Sequence, residues 1–315
     1  MSVSGRPTFR AAATRVRVPA TSANLGPGFD AFGLALSLYD DLVAQVVDEP
    51  GVRVDVHGEG ADAVPRDHRH LVAKVMLRAF DVMGGRPRGL ELVCANRIPH
   101  GRGLGSSAAA IIGGLVLARS LVVGGEERLS DSELLDLAVT IEGHPDNVAA
   151  CLYGGATIAW TRESTGSDSS HIGILRLTTA QEIRPVVCVP GTAVATKKAR
   201  SLLPEQVSHV DAAWNAARAA LLSIALTQRP DLLLEATDDR LHQNYRRSAY
   251  PRSTDLMEKL RAAGIPAAIS GAGPTVIAFA SDTTKASVAE LAGARFSTDV
   301  LSVDLEGARV VPMDS

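Results

Sequence analysis

Apolar residues in the first half of the chain recur in short runs, which either alternate with polar residues or repeat at helical spacing. Alternation predicts β-strands, and a period near 3.6 residues predicts helices. A turn at Glu49–Gly51 separates two alternating runs, and we expect the strands beside it to pair as a hairpin. The predicted elements are strands at Thr14–Pro19, Leu34–Val47, Val52–Val56 and Leu90–Ala95 and a helix at His70–Met83.

A polar stretch at 161–171 divides the chain, and we place the seam between two domains, residues 1–165 and 166–315, beside it. Strands and helices continue to alternate after this stretch, which predicts an α/β or α+β fold. The predicted elements are strands at Ile172–Leu177, Ile183–Val189 and Val300–Asp304, helices at Trp214–Thr227, Thr254–Ala263 and Lys285–Ala294, and a strand–turn–strand unit at Ile265–Ala280.

A glycine-rich loop joins the fourth predicted strand to the most apolar helix of the chain. Its alternating glycines, Gly101, Gly103 and Gly105, let backbone N–H groups converge on an anion. The helix that follows, which we expect Ser106 to cap, adds free N–H donors and the positive end of its dipole. This geometry favours phosphate binding, and a tight turn before a buried helix is the alternative.

Two better-known phosphate loops fit this segment less well. The Gly-x-x-x-x-Gly-Lys-Ser/Thr loop needs a lysine, and none lies between Gly85 and Gly191. The Gly-x-Gly-x-x-Gly pattern is present only in its weaker form, ending at Ala108. The loop is therefore interpreted from its own geometry.

Two further segments are rich in residues that favour turns. Ala20–Phe32 is a polar stretch between apolar flanks, and we expect one loop that lies over the core and is ordered for a ligand. Ser270–Pro274 is a second glycine-rich turn near the end of the chain. We expect it to close over a ligand held by the first glycine-rich loop.

A capping box from Ser130 to Glu133 starts a helix that ends at Glu142. A carboxylate in the last turn opposes the helix dipole by about 0.3–1 kcal/mol, so a nearby metal or other cation would explain Glu142. His144 and Asp146 follow, two residues apart. Because no further His or Cys cluster accompanies them, a capped turn explains this pair better than a zinc site does.

Composition and charge narrow the function. The 315 residues are 46% hydrophobic and 21% charged, which fits a folded protein of one large or two moderate domains. The net charge is −3 without a long basic cluster, so nucleic acid or an anionic membrane has no support as a partner. The cysteines Cys94, Cys151 and Cys188 stand far apart in apolar runs, which predicts reduced thiols and a cytoplasmic location.

Five sequence blocks in order resemble the GHMP kinase superfamily, the kinases of galactose, homoserine, mevalonate and phosphomevalonate. The first, the glycine-rich and the last block resemble the superfamily as a whole, and the first block together with the other two resembles its homoserine kinase branch. The likeness runs from about Pro19 to Phe279. The blocks are Pro19–Asp30, Gly103–Ala108, Glu142–Asn147, Thr196–Arg200 and Ser270–Pro274.

The resemblance implies an α+β fold with a ribosomal-protein-S5-domain-2-like N-terminal domain, which binds ATP, and a ferredoxin-like C-terminal domain. It implies phosphorylation of L-homoserine by ATP to O-phospho-L-homoserine, in threonine biosynthesis, with Mg²⁺. Oligomeric state stays open, with a homodimer as one option. Two alternatives also stay open: a kinase of another small alcohol, such as mevalonate or shikimate, and a silent protein that senses a nucleotide or an amino acid.

The resemblance also assigns site residues. Mg²⁺ would be held by Ser107 and Glu142. The catalytic residues would be Asp30, Asn147 and Arg200. ATP would be bound by Pro99, His100, Gly101, Arg102, Gly103, Leu104, Gly105, Ser106, Ser107, Ala108 and Ala109. The substrate would be bound by Asn24, Asp30, His144, Thr196, Arg200, Arg246 and Gly273, with Gly271 packed beside the nucleotide.

Three positions depart from the family pattern. Asn244 replaces a usual proline two residues before Arg246, and His70 stands where an adenine-contacting asparagine is common. Asn147 stands where the mevalonate kinases carry an aspartate base, and an amide does not accept a proton at physiological pH. Transfer without a dedicated carboxylate base is therefore expected, with Asp30 as an ammonium anchor or, alternatively, as the base.

Overall fold

The computed structural model describes residues 5–162 and 171–313, which form two β-sheets covered by helices. Seven of the described strands belong to the first sheet, whose main path is β11-β1-β2-β4-β3, and β5 joins it by pairing with β2 and β6. These strands are β1 (Thr14–Asn24), β2 (Gly28–Val47), β3 (Gly51–Gly58), β4 (Gly89–Asn96), β5 (Ala156–Thr161), β6 (Ile172–Leu177) and β11 (Arg309–Val311).

The predicted loop at Ala20–Phe32 is mostly strand. β1 continues to Asn24 and β2 begins at Gly28, so that only residues 25–27 turn. The polar side chains are accommodated because they find partners elsewhere in the fold: Thr21 Oγ1 lies 2.8 Å from Asn147 Oδ1, and Ser22 Oγ lies 2.8 Å from Ser270 Oγ. The segment lies over the core, as expected, but as a tight hairpin.

The expected hairpin between β2 and β3 is absent from the described sheet, because β4 lies between these two strands. β3 instead pairs with β4 in parallel, and the helix α1 (Leu71–Val82) makes the crossover. Parallel strands need such a crossover, and α1 buries one face that includes Met76 and Phe80. A local turn signal does not determine which strand becomes the neighbour.

Four helices complete the first half: α2 (Ser106–Leu121), α3 (Gly125–Arg128), α4 (Asp131–Glu142) and α5 (Pro145–Tyr153). The predicted capping box is confirmed at Ser130 and Glu133. The predicted cap at Ser106 is wrong: Gly105 occupies the cap position, and Ser106 is the first helical residue. Among the described helices, α2 included, none is long and apolar enough to cross a membrane.

The second sheet has the order β10-β7-β9-β8, and all its neighbouring strands are antiparallel. This is the spatial order 4-1-3-2 of a ferredoxin-like sheet, which the resemblance implies. Its strands are β7 (Arg184–Pro190), β8 (Ala267–Ile269), β9 (Val276–Ala280) and β10 (Phe296–Val300). The helices are α6 (Thr196–Arg200), α7 (His209–Thr227), α8 (Leu233–Ala236), α9 (Pro251–Ala262) and α10 (Lys285–Ala292), with 3₁₀ turns at 230–232, 247–249 and 293–295.

The two sheets do not follow the predicted division at 165/166. β6 and β11 come after that point in the sequence, yet both belong to the first sheet. The last predicted strand, Val300–Asp304, is wrong, because the chain leaves β10 at Val300 and returns to pair β11 with β1. Most of the polar stretch that suggested the seam, residues 163–170, lies outside the described residues. The division into 1–165 and 166–315 stays a prediction about domains.

Helix α5 packs tightly on β2, and one glycine permits this contact. A Cβ at Gly33 would overlap the backbone oxygen of Asp146 and would lie 2.9 Å from Ala150 Cβ. Asp146 is itself 2% exposed. The contact therefore sets the position of the first turn of α5, which the site described below depends on.

Replacing Gly33 by alanine should lower the free energy of unfolding by about 1–3 kcal/mol, because a well-packed interface must shift to admit the methyl group. Gly191→Ala is the matched control, since a Cβ there meets nothing within 4 Å. Its effect should stay within about 0.5 kcal/mol. Urea unfolding followed by circular dichroism measures both, and equal stabilities of the two variants would contradict the packing described here.

Candidate active site

One pocket unites segments that are far apart in the sequence: the β1–β2 hairpin, the glycine-rich loop, the α4–α5 junction, α6 and the turn at 270–274. Six of the seven residues predicted to bind the substrate line it, and Gly273 does not. The lining residues are Asn24, Asp30, Gly101, Gly103, Gly105, Ser106, Ser107, Glu142, His144, Asp146, Asn147, Thr196, Arg200, Arg246, Gly271 and Ala272.

The glycine-rich loop is confined by backbone at Gly103 and by a side chain at Gly105. All three alternating glycines have positive φ. A Cβ at Gly103 would overlap the carbonyl oxygen of Ser270, and a Cβ at Gly105 would overlap Thr21 Oγ1. Any larger residue at these two positions would have to push the hairpin or the second glycine-rich turn away. The two glycine-rich segments therefore stack on each other, and closure of the second over a ligand held by the first stays a prediction.

Helix α2 presents its N-terminus to the pocket. The first intrahelical hydrogen bond runs from Ala109 N to Gly105 O. The N–H groups of Ser106, Ser107 and Ala108 precede that bond and have no acceptor inside the helix. Three such donors, together with the positive end of the helix dipole, provide what a phosphate group needs.

Several residues predicted to bind ATP have other positions in the structure. Leu104, Ala108 and Ala109 are buried in the core with 1% exposure or less, which leaves them little surface for a ligand. Arg102 Nε donates to Pro190 O at 3.1 Å, which fastens the loop to the second sheet. Gly273 lies beneath the loop, where a Cβ would crowd the ring of Tyr250.

A second, more apolar pocket adjoins the first, and Ser106 and Ser107 line both. His70 is among its lining residues, and its Nδ1 is buried without a hydrogen-bond partner among the described residues. Burial lowers the pKa of His70, and the neighbouring His100 lowers it further, so that the ring is neutral at neutral pH. The remaining lining residues are Asp40, Leu42, Val64, Pro65, Arg69, Leu71, Val72, Asn96, His100, Ala109 and Ala110.

The predicted metal ligands meet at the junction of the two pockets. Ser107 Oγ donates to Glu142 Oε2 at 2.7 Å, which brings the first turn of α2 to the last turn of α4. Residues 5–162 and 171–313 contain no group of three or more His, Cys, Asp or Glu side chains suited to a metal. A hydroxyl and a carboxylate nevertheless fit Mg²⁺, which prefers oxygen ligands and takes the others from water and phosphates.

The hairpin turn of β1 and β2 is strained. Asn24, Leu25 and Asp30 adopt positive φ of 68°, 50° and 54°, a conformation that costs of order 1–3 kcal/mol for each such residue. The side chain of Asn24 supports the turn: its Oδ1 accepts from Asp30 N at 3.0 Å, and its Nδ2 donates to Gly271 O at 2.9 Å. Strain of this kind is typical of functional sites.

Asp30 and Arg200 form a bidentate ion pair across the pocket. Arg200 Nη1 and Nη2 donate to the two carboxylate oxygens at 3.0 and 2.5 Å, and the side chains are 32% and 35% exposed. The hydrogen bonds to Asp30 raise the pKa of Arg200. Sequence reasoning assigned these groups to opposite charges of a ligand, whereas in the structure each neutralises the other.

A second guanidinium, that of Arg246, lines the same pocket and is 1% exposed. Its Nε donates to Ala199 O at 3.2 Å, and its Nη1 donates to His242 Nδ1 at 3.3 Å. Burial lowers the pKa of Arg246. The asparagine that replaces the usual proline does not remove Arg246 from the pocket.

A hydrogen-bonded chain runs along the pocket wall at the start of α5. Asp146 Oδ1 lies 2.7 Å from His144 Nδ1 and accepts from Asn147 Nδ2 at 3.2 Å. Thr21 Oγ1 donates to Asn147 Oδ1 at 2.8 Å. Both ends of the Asn147 amide are thus occupied. Burial disfavours the charged form of His144, but Asp146 outweighs burial and raises the pKa of that histidine.

Sequence reasoning missed several residues that shape this site. Asp146 was interpreted as part of a capped turn, although it stands inside the block Glu142–Asn147. Thr21 and Ser22 were treated only as loop residues, and Phe29 was passed over. Their position between Pro19 and Asp30, a block that supplies two predicted ligands, is the signal that could have singled them out.

Two family models match parts of this chain. The model of the GHMP kinases N terminal domain matches residues 70–155, and that of the GHMP kinases C terminal region matches residues 217–296. The homoserine kinase of Streptomyces avermitilis is 59% identical over 307 residues, which cover 98% of each chain. That of Mycobacterium tuberculosis is 47% identical over 267 residues, 84% of each chain.

Solved structures agree. The crystal structure of homoserine kinase from Cytophaga hutchinsonii matches with a TM-score of 0.81 at 26% identity, covering 96% of this chain and 98% of that one. Leishmania major mevalonate kinase matches with a TM-score of 0.63 at 16% identity, covering 98% and 99%, a likeness of fold alone. The α+β fold and the resemblance found in the sequence are confirmed: this chain belongs to the GHMP kinase family and, within it, to the homoserine kinases.

Proposed function

We propose that this protein transfers the γ-phosphoryl group of ATP to the side-chain hydroxyl of L-homoserine, giving O-phospho-L-homoserine in threonine biosynthesis. Membership of a kinase family implies the use of ATP. The observation that carries the choice of substrate is the Asp30–Arg200 pair, which lines one pocket with Ser107 and Glu142. The pocket therefore combines phosphate-binding geometry with a carboxylate and a guanidinium that pair with each other.

The ion pair favours a zwitterionic substrate. Homoserine carries an ammonium group for Asp30 and a carboxylate for Arg200 and Arg246, so each charge that loses its protein partner gains one from the substrate. Mevalonate and shikimate have a carboxylate but no ammonium group, and would leave the partly buried Asp30 without a cation. An unpaired charge in such a site is costly.

Each other group has a role that suits its position. The N–H groups at the start of α2 hold the phosphates, and the apolar second pocket takes the nucleoside. Ser107 and Glu142 hold Mg²⁺, which neutralises charge on the phosphates when it is bound. Asn24 and Thr196 line the pocket, and either side chain can form a hydrogen bond with the substrate hydroxyl.

The contacts of Asn147 and Asp30 support transfer without a dedicated carboxylate base. The Asn147 amide forms hydrogen bonds with Thr21 and Asp146, so it can orient these side chains in the pocket wall but is not suited to proton transfer. Asp30 is engaged by Arg200, which suits an anchor. A loose phosphoryl-transfer transition state demands little proton abstraction, so positioning and electrostatic stabilisation carry the reaction.

The cytoplasm is the compartment we propose for this reaction. Cys94, Cys151 and Cys188 are buried free thiols, and thiols persist in reducing compartments. The homodimer stays a prediction.

ADP release measured side by side with L-homoserine, mevalonate and shikimate tests the proposed substrate. We expect kcat/KM for homoserine to exceed the other two by on the order of 10⁴, because both of its charges are matched. A reaction without any acceptor is the background control. Preference for mevalonate or shikimate would overturn the assignment, and release with none of the three would favour a silent binding protein.

Glu142→Gln should lower kcat by roughly 10² or more and raise the Mg²⁺ concentration needed for half-maximal rate, because the variant loses the charge of one metal ligand. Titration of Mg²⁺ into the enzyme with a non-hydrolysable ATP analogue measures the same loss without turnover. Glu290→Gln, an exposed substitution on α10, is the matched control. An unchanged Mg²⁺ requirement in Glu142→Gln would remove this residue from the metal site.

A further inference from the structure

The aromatic ring of Phe29 lies beside Arg200 and Arg246, the two arginines proposed to bind the substrate carboxylate. The proposed function leaves this ring without a role. Its centroid is 5.6 Å from Arg200 Cζ and 5.4 Å from Arg246 Cζ. Both distances fall within the range at which a guanidinium is attracted to the face of an aromatic ring. One ring thus contacts both cations.

The backbone on each side of Phe29 is fixed independently of the two arginines. Before Phe29, the carbonyl oxygen of Pro27 accepts from Asn215 Nδ2 at 2.7 Å. After it, Asp30 has positive φ, and its backbone N–H donates to Asn24. The ring is therefore held at the start of β2, where it can serve as a platform for side chains that reach it from elsewhere.

His242 supports the ring from the second half of the chain. The two rings stack with centroids 5.3 Å apart and an interplanar angle of 28°. His242 Nε2 lies 2.8 Å from Gly26 O, and a carbonyl only accepts, so Nε2 carries the proton. Nδ1 is then the acceptor for Arg246 Nη1 at 3.3 Å. This histidine links the hairpin turn, the ring and the buried guanidinium.

Of the two arginines, Arg200 depends more on the Phe29 ring for its position. It ends α6, a helix of five residues, and among the described residues its guanidinium donates hydrogen bonds to Asp30. When the substrate ammonium takes over Asp30, that contact is weakened just as Arg200 must bind the carboxylate. The face of Phe29 remains in place throughout.

We propose that Phe29 is a positioning residue that determines specificity for a substrate carboxylate. Its ring keeps the guanidinium groups of Arg200 and Arg246 in place after Asp30 has paired with the substrate ammonium. This inference rests on the proposed function. It adds a residue that acts through the two arginines and does not itself contact the reacting atoms.

The test compares L-homoserine with 3-aminopropan-1-ol, which keeps the ammonium and hydroxyl groups but lacks the carboxylate. Phe29→Leu should lower kcat/KM for homoserine by about 10-fold, mainly through KM, and leave kcat/KM for the amino alcohol nearly unchanged. Phe29→Tyr keeps an aromatic face and should restore the preference. Phe29→Met, a flexible apolar side chain, repeats the test if the leucine variant folds poorly.

Thermal unfolding and binding of a non-hydrolysable ATP analogue show whether each variant keeps its fold and its nucleotide site. An equal loss for both acceptors in the leucine and methionine variants would mean a merely structural role, and an unchanged ratio would also overturn the inference. If the wild-type enzyme itself fails to prefer homoserine over the amino alcohol, the proposed function fails instead. The two failures are therefore distinguishable.

Discussion

The close approach of three backbone segments, the β1–β2 hairpin, the glycine-rich loop and the turn at 270–274, is the constraint on which the site depends. Ser270 Oγ lies 2.8 Å from Ser22 Oγ and donates to Gly103 O at 2.5 Å. Gly271 N donates to Ala23 O at 3.0 Å. Only a residue without a Cβ fits at Gly103, where the loop meets the carbonyl oxygen of Ser270. The second sheet is therefore held against the first at the glycine-rich loop.

This contact determines what the pocket can contain. The hairpin supplies Asp30, α6 supplies Arg200, and the two charges meet in the pocket that the N-terminus of α2 also lines. In the free protein the two charges neutralise each other, and the desolvation cost is moderate because about a third of each side chain stays exposed. On the proposed function, a ligand would have to offer both signs to displace the pair, and the ion pair would then select zwitterions as well as bind them.

Much of this arrangement is predictable from local sequence. The capping box, the glycines of positive φ and the blocks around Asp30, Glu142 and Arg200 depend on short-range chemistry or on motifs, and most of those residues do line the pocket. What could not be predicted depends on distant partners. The insertion of β4 between β2 and β3, the return of β11 to β1 and the pairing of Asp30 with Arg200 join segments whose contact leaves no trace in local periodicity.

Kinetics of Asp30→Asn test the central claim, that Asp30 exchanges Arg200 for the substrate ammonium, most directly. An anchor used equally in the ground and transition states should, when lost, raise KM for L-homoserine and leave kcat comparatively unchanged. A base is worth about 10²–10⁴ in rate. A fall in kcat of roughly 10³ with KM unchanged would contradict the account and make Asp30 the group that removes the hydroxyl proton.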